Sequence, residues 1–388
     1  MALIRTSCII VIVAIMLVAC QPGGTPTAQP TMVPPTVQAT SEVVTATASA
    51  PTQALSTVTS EPSATTAPAA VATATPVPPG TLPGVSASVY LDDRSTAAAL
   101  MLSYVNAINR HEYLRAYSYW NSPGSYIGSL ANFTNAFANT SSEAITFGQL
   151  SSDGAAGSIY FTVPAVIVDT LGNGSTSKFS SCFILRLPEP ANFSAPPIRP
   201  LGIERGVKTA ISSSTSNANA LASACSGPNY PTGASPETAA VESLSDLTNN
   251  NYIDNRSGPV EVISSLINSL NRKEYVRAYS YWQTPVIAIG SYSSYAAGFA
   301  NTGAVTAMFG TPTYKIGAGQ LQYEVPLAMK VTTTSSTQQT FVGCYTLLLF
   351  NAGMQVTLPF EPLGIAGGRF SQVSNSVDVT PLLTTACR

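Results

Sequence analysis

The sequence is poor in charge and nearly without histidine. Only 9% of its 388 residues are Asp, Glu, Lys or Arg, the formal net charge is −2, and there is one histidine. With no basic block or stripe, the chain offers nothing for a phosphate backbone to hold, and nucleic acid is excluded as a partner. A single histidine cannot furnish a Ser/His/Asp or Cys/His constellation. Glycine-rich phosphate loops, dinucleotide fingerprints and metal-ligand spacings are also missing, so neither cofactor nor metal is expected. After the first twenty residues no run of eighteen apolar residues occurs, and no membrane-spanning helix is expected.

What is present begins at the N-terminus. Arg5 precedes an apolar run over 9–18, which has the length of a secretory leader. The run ends in Leu17-Val18-Ala19-Cys20, which resembles the bacterial lipobox. That resemblance implies a signal peptide over 1–19, removal of the leader before Cys20, and acyl chains of the palmitate type on Cys20. The protein would then be lipid-anchored outside the cytoplasm, on the cell membrane or an outer membrane. More than one acyl chain makes such an anchor stable. Residues 20–88 are Thr, Pro, Ala, Ser and Val, with Glu42 and Glu61 the only ionised side chains. This tract lacks the large apolar groups that offset chain entropy and reads as a disordered stalk. About 65 residues of such chain have a mean end-to-end distance of roughly 45 Å.

The rest of the chain is a duplication. Residues 90–225 align with 252–387 at a constant offset of 162 without a gap, and about 46 of 136 positions are identical. Asn109-Arg110-His111-Glu112-Tyr113-Leu114-Arg115-Ala116-Tyr117-Ser118-Tyr119-Trp120 faces Asn271-Arg272-Lys273-Glu274-Tyr275-Val276-Arg277-Ala278-Tyr279-Ser280-Tyr281-Trp282. The domains read as 89–225 and 251–388, joined by a polar linker over 226–250 across which few contacts are expected. Setting Cys20 aside, the exported chain keeps Cys182, Cys225, Cys344 and Cys387, two per copy and 43 residues apart. Three pairings are possible; duplication of a self-sufficient unit favours Cys182–Cys225 and Cys344–Cys387.

Within a copy the order is helices, then strands. Met101, Tyr104, Val105 and Ile108 sit at helical spacing, as do Tyr113, Ala116, Tyr117 and Trp120, and Pro123 should end that second helix. A third helix is expected over 129–138. Strands are expected over 158–168 and 179–187, joined at Leu171-Gly172-Asn173-Gly174, with a last strand over 201–207. The fold class is α+β, with N-terminal helices packed on a curved antiparallel sheet, twice in tandem. This order, with Ala-Ile-Asn-Arg-His-Glu-Tyr-Leu-Arg-Ala-Tyr at 107–117, resembles the NTF2-like (cystatin-like) superfamily. The resemblance implies helices on a strongly curved sheet in each copy; a deep cone would favour an enzyme, and a collapsed one with an exposed aromatic surface would favour binding. The resemblance itself leaves function open, because that fold hosts isomerases, dehydratases and inert binding domains alike.

No catalytic residue is assigned. His111 has Lys273 at the matching position. The acidic pairs shared by both copies are Asp92/Asp254 and Glu112/Glu274. Glu112 precedes Arg115 by three residues, the spacing of a surface ion pair, and Asp92 suits the start of a helix. On the strands, Asp169 faces Val331, so no acid is shared there. The chain is therefore read as a binding or assembly module of the cell envelope rather than an enzyme. Its partner would be an envelope protein, a glycan or a small apolar ligand. A structural surface protein and an enzyme of this fold are the alternatives. Trp120 and Trp282 are expected in the core, while Tyr119 and Tyr281, off the helical stripe, are the candidate binding surface.

Overall fold

The computed structural model describes residues 86–226, the backbone of 235–236, and 251–388. The leader, Cys20 and the Thr/Pro-rich tract lie outside the described residues. Repeat 1 opens with α1 (Ala97–Asn109), whose first turn is capped by Thr96: its Oγ1 accepts from the Ala99 amide at 3.1 Å. The helix stops at Arg110, and His111 follows at φ 57°. Histidine tolerates that left-handed position better than most side chains. α2 (Tyr113–Ser118) is a single short segment that ends before Pro123; this proline instead starts α3 (Pro123–Tyr126) at a position where a missing N–H costs nothing. α4 (Leu130–Ala136) is the expected third helix, capped by Ser129.

The sheet follows. β3 (Ser158–Leu171) and β4 (Thr176–Pro188) form a long hairpin, and β5 (Gly202–Ile211) pairs with β4. Two further strands escaped the sequence pattern, β1 (Thr140–Phe147) and β2 (Ser151–Ala155); both pair with β3, one along each half. Val163, Ala165, Ile167, Phe183, Leu185 and Leu187 alternate into the core with α1 and α2. Cys182, one residue out of that phase, faces the other side and bonds to Cys225 at the end of α5 (Asn217–Ala224). The backbone of β6 (Ser235–Pro236) pairs with β2.

Repeat 2 copies this order. It runs α6 (Pro259–Asn271), α7 (Tyr275–Ser280), α8 (Pro285–Ile289), α9 (Tyr292–Gly298), β7 (Thr302–Phe309), β8 (Thr313–Gly317), β9 (Gln320–Thr333), β10 (Gln338–Phe350), β11 (Gly364–Val373) and α10 (Thr380–Leu383). Its disulfide joins Cys344 to Cys387. Bulges recur at matching places, between Thr140 and Ser142 and between Thr302 and Ala304, and again between Ile184 and Leu185 and between Thr346 and Leu347. Bulges bend a sheet, and the bend is strong here. Lys208 on β5 reaches Glu143 on β1 at 2.8 Å, although three strand spacings, roughly 14 Å in a flat sheet, separate those strands.

The joint between repeats is not the sparse one the linker suggested. Asp93 and Asn255 form an antiparallel bridge. Around it the hydrogen bonds are reciprocal: Arg94 N–H donates to Asp254 O at 2.7 Å and Arg256 N–H to Asp92 O at 2.6 Å, while Asp92 N–H donates to Ser257 Oγ and Asp254 N–H to Ser95 Oγ, both at 2.9 Å. Tyr90 packs against the core of repeat 2 and Tyr252 against that of repeat 1. This is the pattern of a twofold, self-complementary contact, here built within one chain. Among the described residues no helix is long and apolar enough to cross a membrane.

Candidate functional site

The segment most alike in the two repeats turns out to be interior. α2 ends at Ser118, and Tyr119 is its C-cap. There the chain pairs in parallel with β5, the Ile203 N–H donating to Tyr119 O at 2.7 Å. That pairing turns the Tyr119 ring inward, and both Tyr119 and Tyr281 are 0% exposed. A binding surface at Tyr119 and Tyr281 is thereby ruled out; the expectation extended a helical stripe one residue past the end of the helix. Trp120 and Trp282 are buried, as their spacing indicated.

The Tyr119 hydroxyl donates to Asp92 Oδ1 at 2.9 Å and accepts from Arg115 Nη1 at 3.2 Å. Arg115 is fully buried and also donates to Glu112 Oε2 at 2.6 Å, Asn106 Oδ1 at 2.8 Å and the Leu91 carbonyl. The Tyr90 ring covers its guanidinium at 4.6 Å. Burial, and then Asp92, push the Tyr119 hydroxyl above the usual tyrosine range, so it remains a donor. Repeat 2 rebuilds the network from Asp254, Tyr281, Arg277, Glu274 and Asn268, with Tyr252 on Arg277. Glu112 and Arg115 are thus a buried pair rather than a surface one. Asp92 stands in the inter-repeat ladder, five residues ahead of α1, and does not cap a helix. His111 sits on an exposed corner, its Nδ1 3.0 Å from the Tyr113 hydroxyl.

Where the repeats differ, a site emerges. Repeat 1 holds a half-open cavity of about 270 Å³ between α1, α4 and the concave face of its sheet. Its walls carry Tyr104, Trp120, Phe133, Phe137 and Phe183, and its polar end is made by Glu143 and Lys208. The Glu143 backbone is fixed by Asn109, which accepts from its N–H at 2.6 Å and donates to its carbonyl at 2.9 Å. Across the ladder Glu143 stands directly opposite Asp169, a like-charge juxtaposition that is unfavourable by itself. Lys208 offsets it, donating to Glu143 Oε1 at 2.8 Å and to Asp169 Oδ1 and Oδ2 at 2.9 and 2.8 Å.

The balance is incomplete. The Glu143 side chain is 1% exposed, and its Oε2 is buried with no hydrogen-bond partner. Burial chiefly, with Asp169 adding to it and Lys208 opposing, pushes the Glu143 carboxyl up to about 7. Burial pulls the Lys208 ammonium down, but Glu143 and Asp169 outweigh it and hold the group above the usual lysine range. Trp120 Nε1 is likewise unpartnered, yet so is Trp282 Nε1 in repeat 2, so that feature belongs to the fold and not to the cavity.

Repeat 2 keeps the scaffold and discards the charges. Asn271 clamps Val305 just as Asn109 clamps Glu143, at 2.7 and 2.9 Å. Val331 stands where Asp169 does, Phe370 in place of Lys208, and Leu266 in place of Tyr104. These side chains join or pack against the second core, with the Phe370 ring 4.8 Å from that of Tyr345.

No family model and no curated protein matches the chain. Among solved structures, an NTF2-like superfamily protein from Salmonella enterica serovar Typhimurium LT2 is similar at 10% identity and a TM-score of 0.24, covering 30% of this chain and 89% of that one.

Sequence reasoning passed over Glu143, Asp169 and Lys208 because it looked for acids that both copies share. The signal lay in the disagreement: at three aligned strand positions a charge in copy 1 meets Val, Val or Phe in copy 2.

Proposed function

We propose that the protein is a lipid-anchored, extracytoplasmic binding protein made of two tandem NTF2-like domains with divided roles. Repeat 1 holds a small, largely apolar ligand in its cavity. Repeat 2 completes the shared twofold core and has given up its own polar site. The observation that carries this reading is Glu143, which lines a cavity walled by aromatic rings while its Oε2 is a buried acceptor without a partner. Buried polar atoms are nearly always satisfied, and three charges in a core cost stability that hydrocarbon at the same positions does not. Retaining them in one repeat, while the other dispenses with them, fits a site kept for a ligand. The lipobox-like Leu17-Val18-Ala19-Cys20 supports the anchor, and two disulfides suit an oxidising compartment.

Two experiments test it. In a Trp282→Phe chain, Trp120 is the sole tryptophan and lines the cavity, so its emission reports occupancy. Small-molecule fractions of the envelope should shift that emission and raise the melting temperature, and the Glu143→Val/Lys208→Phe chain should respond to none. Emission and melting temperature unmoved by every fraction would sink the binding reading. For the anchor, Cys20→Ala should release the protein to the soluble extracytoplasmic fraction; unchanged membrane partition would refute lipidation.

A further inference from the structure

The cavity in repeat 1 also states what its occupant must bring. Lys208 has three ammonium hydrogens, and three carboxylate oxygens within 2.9 Å engage them. Its charge is therefore already engaged by two carboxylates. Asp169 is held through both oxygens by the same lysine. Glu143 lines the cavity, and its Oε2 is a buried acceptor that no donor of the protein engages. With both carboxylates ionised, one ammonium leaves the cluster one positive charge short of neutrality, a charge that a proton on Glu143 supplies when no ligand does. Around that deficit stand the five rings of Tyr104, Trp120, Phe133, Phe137 and Phe183, whose negative π-faces attract cations. Resting on the binding reading above, we propose that repeat 1 binds a small organic cation, an ammonium carried on an apolar or aromatic body, with its charged head on Glu143.

The charge arithmetic and the rings point to the same ligand independently. A neutral alcohol would satisfy Oε2 but leave the deficit. An anion would meet the charge of Glu143 beside an ammonium already engaged by two carboxylates. The groups facing Glu143 are Lys208 from β5, Asp169 from β3 and the Tyr104 phenol from α1, and none of them supplies the missing charge. Size is compatible with such a body. A dry cavity of about 150 Å³ accommodates benzene, so one of roughly twice that volume takes a body of about ten heavy atoms. Repeat 2 is the internal control: with Val305, Val331 and Phe370 it has neither the charge nor the acceptor.

The test uses the full chain and three probes of one shape: benzylammonium, benzyl alcohol and benzoate. Titration calorimetry at pH 7 should show benzylammonium binding roughly tenfold or more tighter than benzyl alcohol, and benzoate not at all. Cation binding should release protons from Glu143, seen as heats that change with the ionisation enthalpy of the buffer. Glu143→Gln should abolish the preference while benzyl alcohol still binds, and Glu143→Asp, which keeps the charge, should retain it. If benzyl alcohol binds as tightly as benzylammonium, or the preference survives Glu143→Gln, the cation assignment falls and the binding reading stands. If no probe gives heat, the cation assignment falls, and the binding reading is decided by the envelope fractions.

Discussion

Tyr119 and Asp92 are joined by a hydrogen bond of 2.9 Å, and the same bond recurs between Tyr281 and Asp254 at 3.0 Å. Each pair sits where one repeat receives the strand ladder of the other. The tyrosine is at once the donor to a buried carboxylate and the acceptor for a buried guanidinium. Tyr119→Phe removes both roles and leaves shape intact, so it should cost about 1–3 kcal/mol, the desolvation penalty of partners left unmade. Tyr281→Phe should cost about the same, because its surroundings are the same. Urea unfolding of both variants checks this; two near-neutral substitutions would show that water or rearrangement replaces the bond.

Glu143 makes stability depend on pH in a direction opposite to most carboxylates. Its folded-state value, about 7, lies above the ordinary 4.5, so the folded protein holds this proton more tightly than the unfolded chain. The contribution is complete below about pH 4.5 and is lost as pH rises through 7, by up to roughly 3 kcal/mol. Glu143→Gln should remove that slope. The difference between wild-type and variant unfolding free energies, followed from pH 4.5 to 8, reports Glu143 together with the Asp169 and Lys208 beside it; a difference independent of pH contradicts the assignment.

Each disulfide closes a loop of 43 residues and ties a terminal helix to the convex side of its sheet. In the chain-entropy picture each is worth roughly 4 kcal/mol. The double substitutions Cys182→Ser/Cys225→Ser and Cys344→Ser/Cys387→Ser should lose comparable amounts, read as matching drops in denaturant midpoint.

The reciprocal bonds about Asp93 and Asn255 make the two repeats partners. A protease site introduced at residue 243 should be cut without separating the halves, which should co-elute in gel filtration and melt together. Arg94→Pro, which removes the amide that donates to the Asp254 carbonyl across the joint, should let the cut halves part. Halves that separate at once after cleavage would show that the contact is too weak to hold without the covalent joint.

Much of this architecture is legible in the sequence. The offset of 162 fixes the two copies and, through Cys182 and Cys225, the pairing within each. The β3–β4 hairpin shows in its β-branched run and its Gly-Asn-Gly turn. β1 and β2 do not, because Thr140–Phe147 and Ser151–Ala155 are short, mixed strands whose pairing is decided by β3. Tyr119 was misplaced for a related reason: a tertiary bridge to Ile203 ends the helix, and no local spacing encodes it. The linker's polarity hid the inter-repeat contact, since the residues that make it, Asp92 to Ser95 and Asp254 to Ser257, precede the first helix of each copy rather than lying in the linker.

The way the chain enters repeat 1 has a mechanical consequence. Asn106 on α1 donates to the carbonyls of Ser86 and Val89 at 3.1 and 2.8 Å, and Arg110 donates to that of Ala87 at 2.7 Å. A pull arriving along the chain at residue 86 is therefore caught sideways by one helix through several bonds before it reaches Asp92. From there the Asp93–Asn255 ladder hands the tension to repeat 2. Traction is thus shared by both halves through the clamp, and the strands that shape the cavity of repeat 1 are spared the first of it.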